Sequence, residues 1–275
     1  MSGILYLVAT PIGNLEDITL RAIRILKEVD LIAAEDTRQT LKLLNYYNIS
    51  KPLISYHRHN EEIKQEVLIE KLKEGQNIAL VSDAGTPVIS DPGGIVVKEA
   101  LKENIQIVPI PGACAAINAL IVSGLDTKEF SFYGFLPINK KMKKEKLEEI
   151  KKENKTIILY EAPHKLNTTL KDLEKILDNR KIVIARELTK IHEEFITGTV
   201  TEILEKYKEP KGEHIIIIEA NKIKEETEEE KQKKEMTIEE HYKYYEDQGF
   251  KKNEIIKRIA KDRGVSKNEI YQLFI

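Results

Sequence analysis

The sequence predicts an α/β protein with two α/β domains and a small helical tail. Up to Ala220, short aliphatic runs alternate with segments of helical periodicity, which is typical of a mainly parallel sheet covered by helices. After Ala220 the composition changes to a charged run, and from Thr237 an apolar helical pattern returns. A chain of 275 residues is long enough for this organisation.

The first series of aliphatic runs predicts five strands. They are Ile4–Ala9, Asp30–Ala34, Leu53–Tyr56, Ile78–Ser82 and Ile105–Ile110. Many of these runs are too apolar for a sheet with one wet face, so helices should cover both faces. Between the strands, Asp17 and Thr19 are candidate caps of the first helix, and Gly75 is a candidate stop of the third.

A second series predicts five more strands. They are Phe130–Phe135, Thr156–Tyr160, Lys181–Ala185, Phe195–Gly198 and His214–Glu219. A helix of small residues within Gly112–Gly124 should connect the two series. The predicted domains are therefore residues 1–112 and 113–221, followed by a linker at 222–236 and a tail at 237–275.

The tail has the outline of a helix-turn-helix. Its apolar pattern is interrupted by Gly264 and restarts at Ser266, a residue type that caps helices. The preceding stretch, Lys222–Glu235, holds six glutamates and five lysines with one aliphatic residue, which is typical of a solvated linker or an exposed helix.

Composition excludes several classes of protein. One cysteine, Cys114, leaves no internal disulfide and no thiol-rich metal site, which suits a reducing cytoplasm. The start Met1–Ala9 has no basic region, so we expect no signal peptide. The longest aliphatic run, Ile215–Ile218, is too short to span a membrane.

The candidate ligand site lies in the loops that follow the first five strands, because open parallel sheets bind ligands beyond the carboxyl ends of their strands. These loops are Thr10–Asn14, Glu35–Arg38, His57–Glu61, Asp83–Gly94 and Pro111–Ala115. Their glycines allow close backbone approach and their prolines stiffen the chain. Such loops suit a neutral or cationic ligand, although tight turns alone would also use these residues.

Several nucleotide and hydrolase signatures are missing from the sequence. There is no G-x-G-x-x-G after the first strand, no P-loop and no G-x-S-x-G elbow. His57 and His59 could share a metal ion, but no thiol or third histidine stands nearby, so we expect no metal.

Seven motifs follow one another along the chain. They are Leu5–Thr19, Ala33–Arg38, Val81–Gly93, Tyr133–Pro137, Tyr160–His164, Arg186–Lys190 and Lys211–Glu213. Together they resemble the ribosomal RNA small subunit methyltransferases of the tetrapyrrole methylase superfamily. The resemblance covers nearly the whole chain, including the helical tail.

The resemblance implies two α/β domains with S-adenosylmethionine in the cleft between them, usually within a homodimer. It implies 2′-O-methylation of one cytidine ribose in the decoding region of 16S rRNA. From the residues themselves we expect neither a metal nor a membrane partner. The positions that it implies for cofactor contacts are Pro11, Ile12, Asp83, Gly85, Thr86, Ile89, Ala113, Cys114, Tyr160, Ala185 and His214.

A ribose hydroxyl must lose its proton during methylation, so a general base is expected near the cofactor. Asp36 with Arg38 ranks first, and His57 and Glu187 are further catalytic candidates. Arg38 or Arg58 could hold the neighbouring phosphate. The alternative is that Glu35–Arg38 only caps the next helix and pairs charges.

Two lysine-rich stretches favour a phosphate-backbone partner, although a solvated helix face explains either one alone. Lys140–Lys155 holds eight lysines and four glutamates, and Lys251–Lys267 holds seven basic residues and two acids. Aromatic residues could stack on splayed bases, although such residues are more often core. The candidates are Tyr46, Tyr47, Tyr56 and Phe135.

Two rival functions remain open from the sequence. One is a C-methyltransferase acting on a corrin or porphyrin, and the other is a non-catalytic RNA-binding assembly factor. The tail and the Glu35–Arg38 motif argue against the first, and intact cofactor loops argue against the second.

Overall fold

The computed structural model describes residues 2–177, 179–208, 210–221, 233 and 236–274. The chain divides into two compact units, residues 1–221 and residues 222–275. The predicted linker, 222–236, lies outside the described residues except for Lys233 and Met236. In the described part of the chain, no helix is both long and apolar enough to cross a membrane.

The first sheet contains all five strands predicted for the first series. Its strands are β1 (Ile4–Val8), β2 (Leu31–Ala34), β3 (Leu53–Ser55), β4 (Ile78–Val81) and β5 (Gln106–Ile110). They lie in the order β3-β2-β4-β1-β5, and every pairing is parallel. Every residue of β2 and β4 is buried, as expected for strands covered on both faces.

Helices connect these strands, and of the two predicted caps of the first helix only Thr19 caps it. They are α1 (Leu20–Glu28), α2 (Thr37–Tyr46), α3 (Glu61–Lys73) and α4 (Gly94–Lys102), with a 3₁₀ turn at Leu15–Asp17 before α1. The Thr19 side chain accepts a hydrogen bond from the Ala22 N–H at 3.1 Å and so caps α1. Asp17 ends the 3₁₀ turn instead of capping α1.

The second sheet contains the five strands of the second series but is not mainly parallel. Its strands are β6 (Phe130–Phe135), β7 (Thr156–Glu161), β8 (Lys181–Arg186), β9 (Glu194–Thr199) and β10 (His214–Ile218). The order is β6-β7-β10-β8-β9, and only the β6–β7 pairing is parallel. Residues 187–193 join β8 to β9 without a helix. This connection is too short for the crossover that a parallel pair needs, so the two strands pair antiparallel.

Four helices accompany the second sheet. They are α5 (Ala115–Val122), α6 (Lys140–Lys152), α7 (Pro163–Leu177) and α8 (Val200–Lys206). α5 lies within the predicted connecting segment, 112–124, and its buried residues pack with side chains of β7, β8 and β10. The predicted domain boundary between residues 112 and 113 stays a prediction, since residues 1–221 form one compact unit.

The C-terminal unit is a small helical cluster. Its helices are α9 (Ile238–Glu246), α10 (Lys252–Arg263) and α11 (Lys267–Gln272). α10 ends at Gly264, whose φ of 67° lies in the left-handed region, and Ser266 caps α11. Its core consists of Tyr245, Ile255, Ile256, Ile259, Ala260 and Ile270.

Candidate active site

A cleft of about 510 Å³ is lined by loops from both sheets. That volume is within the range of small-molecule sites. The first half contributes Ile12, Glu35, Asp83–Thr86, Ile89–Asp91, Cys114 and Ala115. The second half contributes Phe135, Tyr160–His164, Glu187, Leu188, Lys190 and Glu213–Ile215.

Hydrogen bonds join the loops at the carboxyl ends of β1, β4 and β5. Thr10 and Gly85 exchange two of them: the Thr10 N–H donates to the Gly85 carbonyl at 2.9 Å, and the Gly85 N–H donates to the Thr10 carbonyl at 3.0 Å. The Thr86 hydroxyl then donates to the Ala113 carbonyl at 3.1 Å. The contact between the loops after β1 and β4 therefore does not depend on side-chain rotamers, whereas the loop after β5 is held through the Thr86 side chain.

Side chains attach the loops after β2 and β3 to the same segment, residues 83–94 (the 83–94 loop). The Asp36 N–H donates to Asp83 Oδ1 at 2.9 Å. The Arg58 guanidinium donates to the Ser90 carbonyl, and Glu61 Oε2 accepts from the Gly93 N–H at 3.3 Å. All five strand-end loops predicted to form the site are thus linked, directly or through one another.

Close packing brings the two halves together beside the cleft. A Cβ at Gly13 would lie 2.6 Å from Lys190 Cγ and 2.8 Å from the Leu188 carbonyl oxygen, so only glycine fits there. Nearby, the Ala116 N–H donates to the Tyr160 hydroxyl at 3.2 Å. Loops from different sheets are consequently held in contact.

Strained backbone occurs on both sides of the cleft. Val88 and Ser90 have φ values of 76° and 66°, and Glu187 and Thr189 have 50° and 63°. Non-glycine residues in this region cost about 1–3 kcal/mol each and persist where the surroundings impose them. Such strain clusters at functional sites, which supports this cleft as the active site.

The cleft is electronegative. Its lining includes one lysine, Lys190, and six acidic residues, which are Glu35, Asp83, Asp91, Glu161, Glu187 and Glu213. Burial and the neighbouring Asp83 charge raise the pKa of Glu35, and burial followed by the Glu35 charge raises the pKa of Asp91 to about 6. A cation suits this cleft better than a phosphate does.

Two other polar residues of the lining are uncharged at neutral pH. Burial, followed by the Arg186 charge, lowers the pKa of His214 to about 4, and His214 Nε2 lies 2.8 Å from the Tyr207 hydroxyl. Burial raises the pKa of Tyr160 to about 12. Both side chains can therefore offer hydrogen bonds without adding charge.

The structure brings most of the predicted cofactor positions together. Eight of them line the cleft, namely Ile12, Asp83, Gly85, Thr86, Ile89, Cys114, Tyr160 and His214. Pro11 and Ala113 are neighbours of lining residues, and Ala113 accepts the Thr86 hydrogen bond. Ala185 is fully buried in the core cluster that Ile12, Cys114 and Tyr160 pack against. Their contacts with a cofactor stay predictions.

Of the four predicted catalytic residues, only Glu187 lines the cleft; Asp36, Arg38 and His57 do not. Asp36 caps α2 through the Arg38 N–H at 2.8 Å, and its carboxylate receives the Arg38 guanidinium at 2.7 and 3.0 Å. These bonds from Arg38 lower the pKa of Asp36 to about 2, which makes it a weak base. This geometry matches the capping alternative.

The aromatic residues predicted to stack on bases differ in how exposed they are to solvent. Tyr56 is 1% exposed and belongs to the core, so it cannot stack on a base. Tyr47 packs edge-on against Tyr46 and donates its hydroxyl to the Leu15 carbonyl. Phe135 is 55% exposed and lines the cleft.

Sequence reasoning missed several residues of the lining. Glu35 precedes Asp36, and Asp91 lies two residues after Ile89, so both belong to motifs already described. An acidic residue beside a predicted site position was the signal that could have identified them. His164 and Glu213 likewise end two of the seven motifs. Across the described residues, no three or more His, Cys, Asp or Glu side chains are arranged to hold a metal ion.

Comparisons with known proteins give a consistent picture. The family model of Tetrapyrrole (Corrin/Porphyrin) Methylases matches residues 4–204. The "Ribosomal RNA small subunit methyltransferase I" of Halalkalibacterium halodurans is 53% identical over 274 residues, covering 99% of this chain and 94% of that protein. The Bacillus subtilis protein of the same name is 52% identical, with the same coverages.

A solved structure agrees on the fold. A diphthine synthase superimposes with a TM-score of 0.65, covering 79% of this chain and 90% of that chain. The two sequences are 14% identical, so this likeness concerns the fold alone.

The raised pKa of Asp91 predicts a pH-dependent effect on stability. Between the ordinary value of 3.8 and the folded value of about 6, the folded state binds more protons, so stability falls as pH rises. Asp91→Asn should therefore be more stable than the wild type at about pH 8, by about 1 kcal/mol, since partial exposure reduces the full linkage value. Urea denaturation across pH measures this.

Asp36→Asn is the matched control with the opposite sign. The pKa of Asp36 is lowered to about 2, so its stabilisation is present above its ordinary value of 3.8 and is lost as pH falls through about 2. This variant should be less stable than wild type at neutral pH. If Asp91→Asn and Asp36→Asn changed the stability in the same direction at neutral pH, the opposite pKa shifts of Asp91 and Asp36 would be contradicted.

Proposed function

The chain belongs to the tetrapyrrole (corrin/porphyrin) methylase family, and from this membership we propose that it methylates ribosomal RNA of the small subunit, using S-adenosylmethionine. The proposed acceptor is the 2′-hydroxyl of cytidine 1402 in the decoding region of 16S rRNA. The observation that carries the proposal is the 53% identity, over 99% of the chain, with a protein named for this class of substrate.

The residues of the cleft suit the proposed cofactor. S-adenosylmethionine supplies an electrophilic methyl group on a positively charged sulfur. The carboxylates of Asp83, Asp91 and Glu35 provide negative potential, while Ile12 and Ile89 provide apolar surface. Hydrogen bonds at Gly85 and Ala113 fix the loops that would surround the ligand. No phosphate-binding loop is needed for such a molecule.

Alignment is the main task of this chain in methyl transfer. The reaction needs the acceptor oxygen in line with the methyl carbon, and fixed orientation alone supplies about 7–11 kcal/mol. The hydrogen-bonded loops around Thr10 and Gly85 and the strained segment Val88–Ser90 provide a rigid frame for this. The protein thereby fixes the orientation of the two reactants before the methyl group is transferred.

We propose Asp91 as the proton acceptor. Among the carboxylates compared, Asp36 is neutralised by Arg38 and is a weak base, and Glu187 is held by Lys190 at 2.9 Å. Asp91 lines the cleft and has a pKa of about 6, so it is both ionised at neutral pH and more basic than Asp36. Glu187, His57 and Asp36 with Arg38 remain the rival assignments.

Two rival functions have weaker support. A corrin or porphyrin C-methyltransferase shares the family, but the relatives at 52–53% identity carry the ribosomal RNA name. A non-catalytic assembly factor would not need six acidic residues in a cleft with preformed backbone.

The proposal extends to assembly and location. We propose a cytoplasmic location, which suits a chain with the single cysteine Cys114, and a homodimer, as the family resemblance implies. The exposed aliphatic residues Ile117, Ile121 and Val122 on α5 support a further protein contact on that helix.

The test of the proposed function is methyl transfer from labelled S-adenosylmethionine to small ribosomal subunits that lack this modification, followed by mapping of the label. We expect label in one cytidine 2′-O-methyl group. Cofactor binding without transfer would retain the site but remove the proposed substrate. Transfer to uroporphyrinogen instead would favour the corrin/porphyrin alternative.

The proposed base predicts a pH profile. Because Asp91 accepts a proton only when ionised, kcat/KM should rise with pH through about 6 and then level off. Asp91→Asn should lower kcat by about 10²–10⁴-fold and lose that rise. Asp36→Asn and Arg38→Ala should keep most of the turnover. If they abolish turnover while Asp91→Asn does not, Asp36 with Arg38 is the better assignment of the base.

The helical tail is proposed to bind the RNA backbone. Lys251, Lys257, Lys261 and Lys267 are exposed on α10, α11 and the residues that precede them. Removing residues 237–275 should weaken binding to small subunits and reduce its salt dependence, since fewer counterions are released. Binding measured over a salt series, with cofactor affinity as a folding control, checks this. An unchanged slope would contradict the role.

A further inference from the structure

Phe135, the last residue of β6, lines the cleft because β6 contains a bulge. The pairing with β7 shifts between Phe132 and Gly134, so one extra residue enters β6. In a regular strand, residues three apart lie on opposite faces. Here Phe132 and Phe135 both pack edge-on against Tyr160, with ring centroids 5.1 and 5.6 Å away.

Gly134 makes this bulge possible. Its φ is 61°, and a Cβ there would lie 3.0 Å from Ser90 Oγ of the 83–94 loop. The bulge is therefore packed directly on the loop that forms the cleft. It leaves Phe135 at the cleft with more than half of its surface exposed, and exposing an aromatic ring to water is unfavourable.

The helix that follows begins with an unfavourable charge pattern. Lys140 and Lys141 occupy the start of α6, Lys143 and Lys144 follow, and the first turn contains no acidic residue. Positive side chains at a helix N-terminus oppose the helix dipole, where acidic residues are preferred. Violations of such a local rule are expected at functional sites.

The first lysines are also uncompensated by other side chains. Lys143 pairs with Asp172 at 2.9 Å, and Lys146 pairs with Glu149. Over the residues that the structure describes, Lys140, Lys141 and Lys144 make no ion pair, and all three are exposed. An anionic partner would offset the unfavourable interaction of these lysines with one another and with the helix dipole, whereas water only screens it.

We propose that Phe135–Lys144 is a docking ridge for the RNA strand that enters the cleft. Phe135 stacks on an unpaired base beside the acceptor, and Lys140, Lys141 and Lys144 contact the adjoining phosphates. The inference rests on the proposed function and assigns it a substrate-binding surface in the first unit, separate from the helical tail.

The combination of features favours RNA as the occupant of this ridge. An exposed aromatic ring beside a catalytic cleft matches the way proteins hold splayed bases, and lysines without acidic partners match phosphate contacts. Lys140 is five residues from Phe135, so their Cα atoms are at most about 18 Å apart. Neighbouring nucleotides of one strand can reach both groups.

The chain supplies a matched pair of variants for the test. α6 begins with Lys140 and Lys141 and ends with Lys151 and Lys152, and all four are exposed. Neutralising either pair as K140Q/K141Q or K151Q/K152Q removes the same charge from the same helix. Binding of unmodified small ribosomal subunits to the full-length protein is then measured over a salt series.

K140Q/K141Q should bind subunits about tenfold more weakly, and its negative slope of log K against log salt should become shallower by about 1.4. K151Q/K152Q should keep the wild-type affinity and slope. The thermal midpoint should not fall for K140Q/K141Q, because the removed charges oppose the helix dipole, and should fall slightly for K151Q/K152Q. This opposite ordering separates lost RNA contacts from lost stability.

Phe135 is tested in the same binding assay without cofactor. Phe135→Ala should weaken subunit binding about tenfold, and Phe135→Tyr should restore it, since either aromatic ring can stack. Equal binding by the alanine variant, or equal slopes for the two lysine pairs, would overturn the docking ridge. A wild-type protein that neither binds nor methylates subunits would instead overturn the proposed function.

Discussion

Two peptide groups, those of Thr10 and Gly85, hold the site together. Their reciprocal hydrogen bonds, at 2.9 and 3.0 Å, join the loops that leave the neighbouring strands β1 and β4. Because both partners are backbone, the contact depends on the path of the chain rather than on a side chain. The loops after β2, β3 and β5 all attach to the segment that this pair fixes. The first sheet and its loops consequently fix one half of the cleft.

Features that depend on local chemistry could be predicted from the sequence. The runs at Ile78–Val81 and Leu31–Ala34 are apolar on both faces, and both became fully buried parallel strands. Thr19 and Ser266 cap helices as their residue types and positions indicated. Most cofactor positions that the family resemblance implies also line one cleft, and those of the first sheet meet there because parallel strands bring their carboxyl ends to the same edge.

What the sequence could not provide depends on long-range packing. The antiparallel pairing of β10 with β7 and β8 follows from which edges are free, which no local pattern records. The bonds from the Arg38 guanidinium lower the pKa of Asp36, and burial raises the pKa of Asp91; both causes depend on the folded surroundings rather than on residue type. Phe135 faces the cleft only because a bulge changes the alternation of β6, and bulges leave little trace in residue type.

The position of β10 has a consequence for synthesis of the chain. The first sheet is complete once residue 110 has left the ribosome, but the second has its last strand, His214–Ile218, in its centre. Until that strand emerges, β7 and β8 each present an unpaired apolar edge, which is open to wrong pairing. The N-terminal half should therefore fold first during translation, and nascent chains that end before His214 should need protection by chaperones.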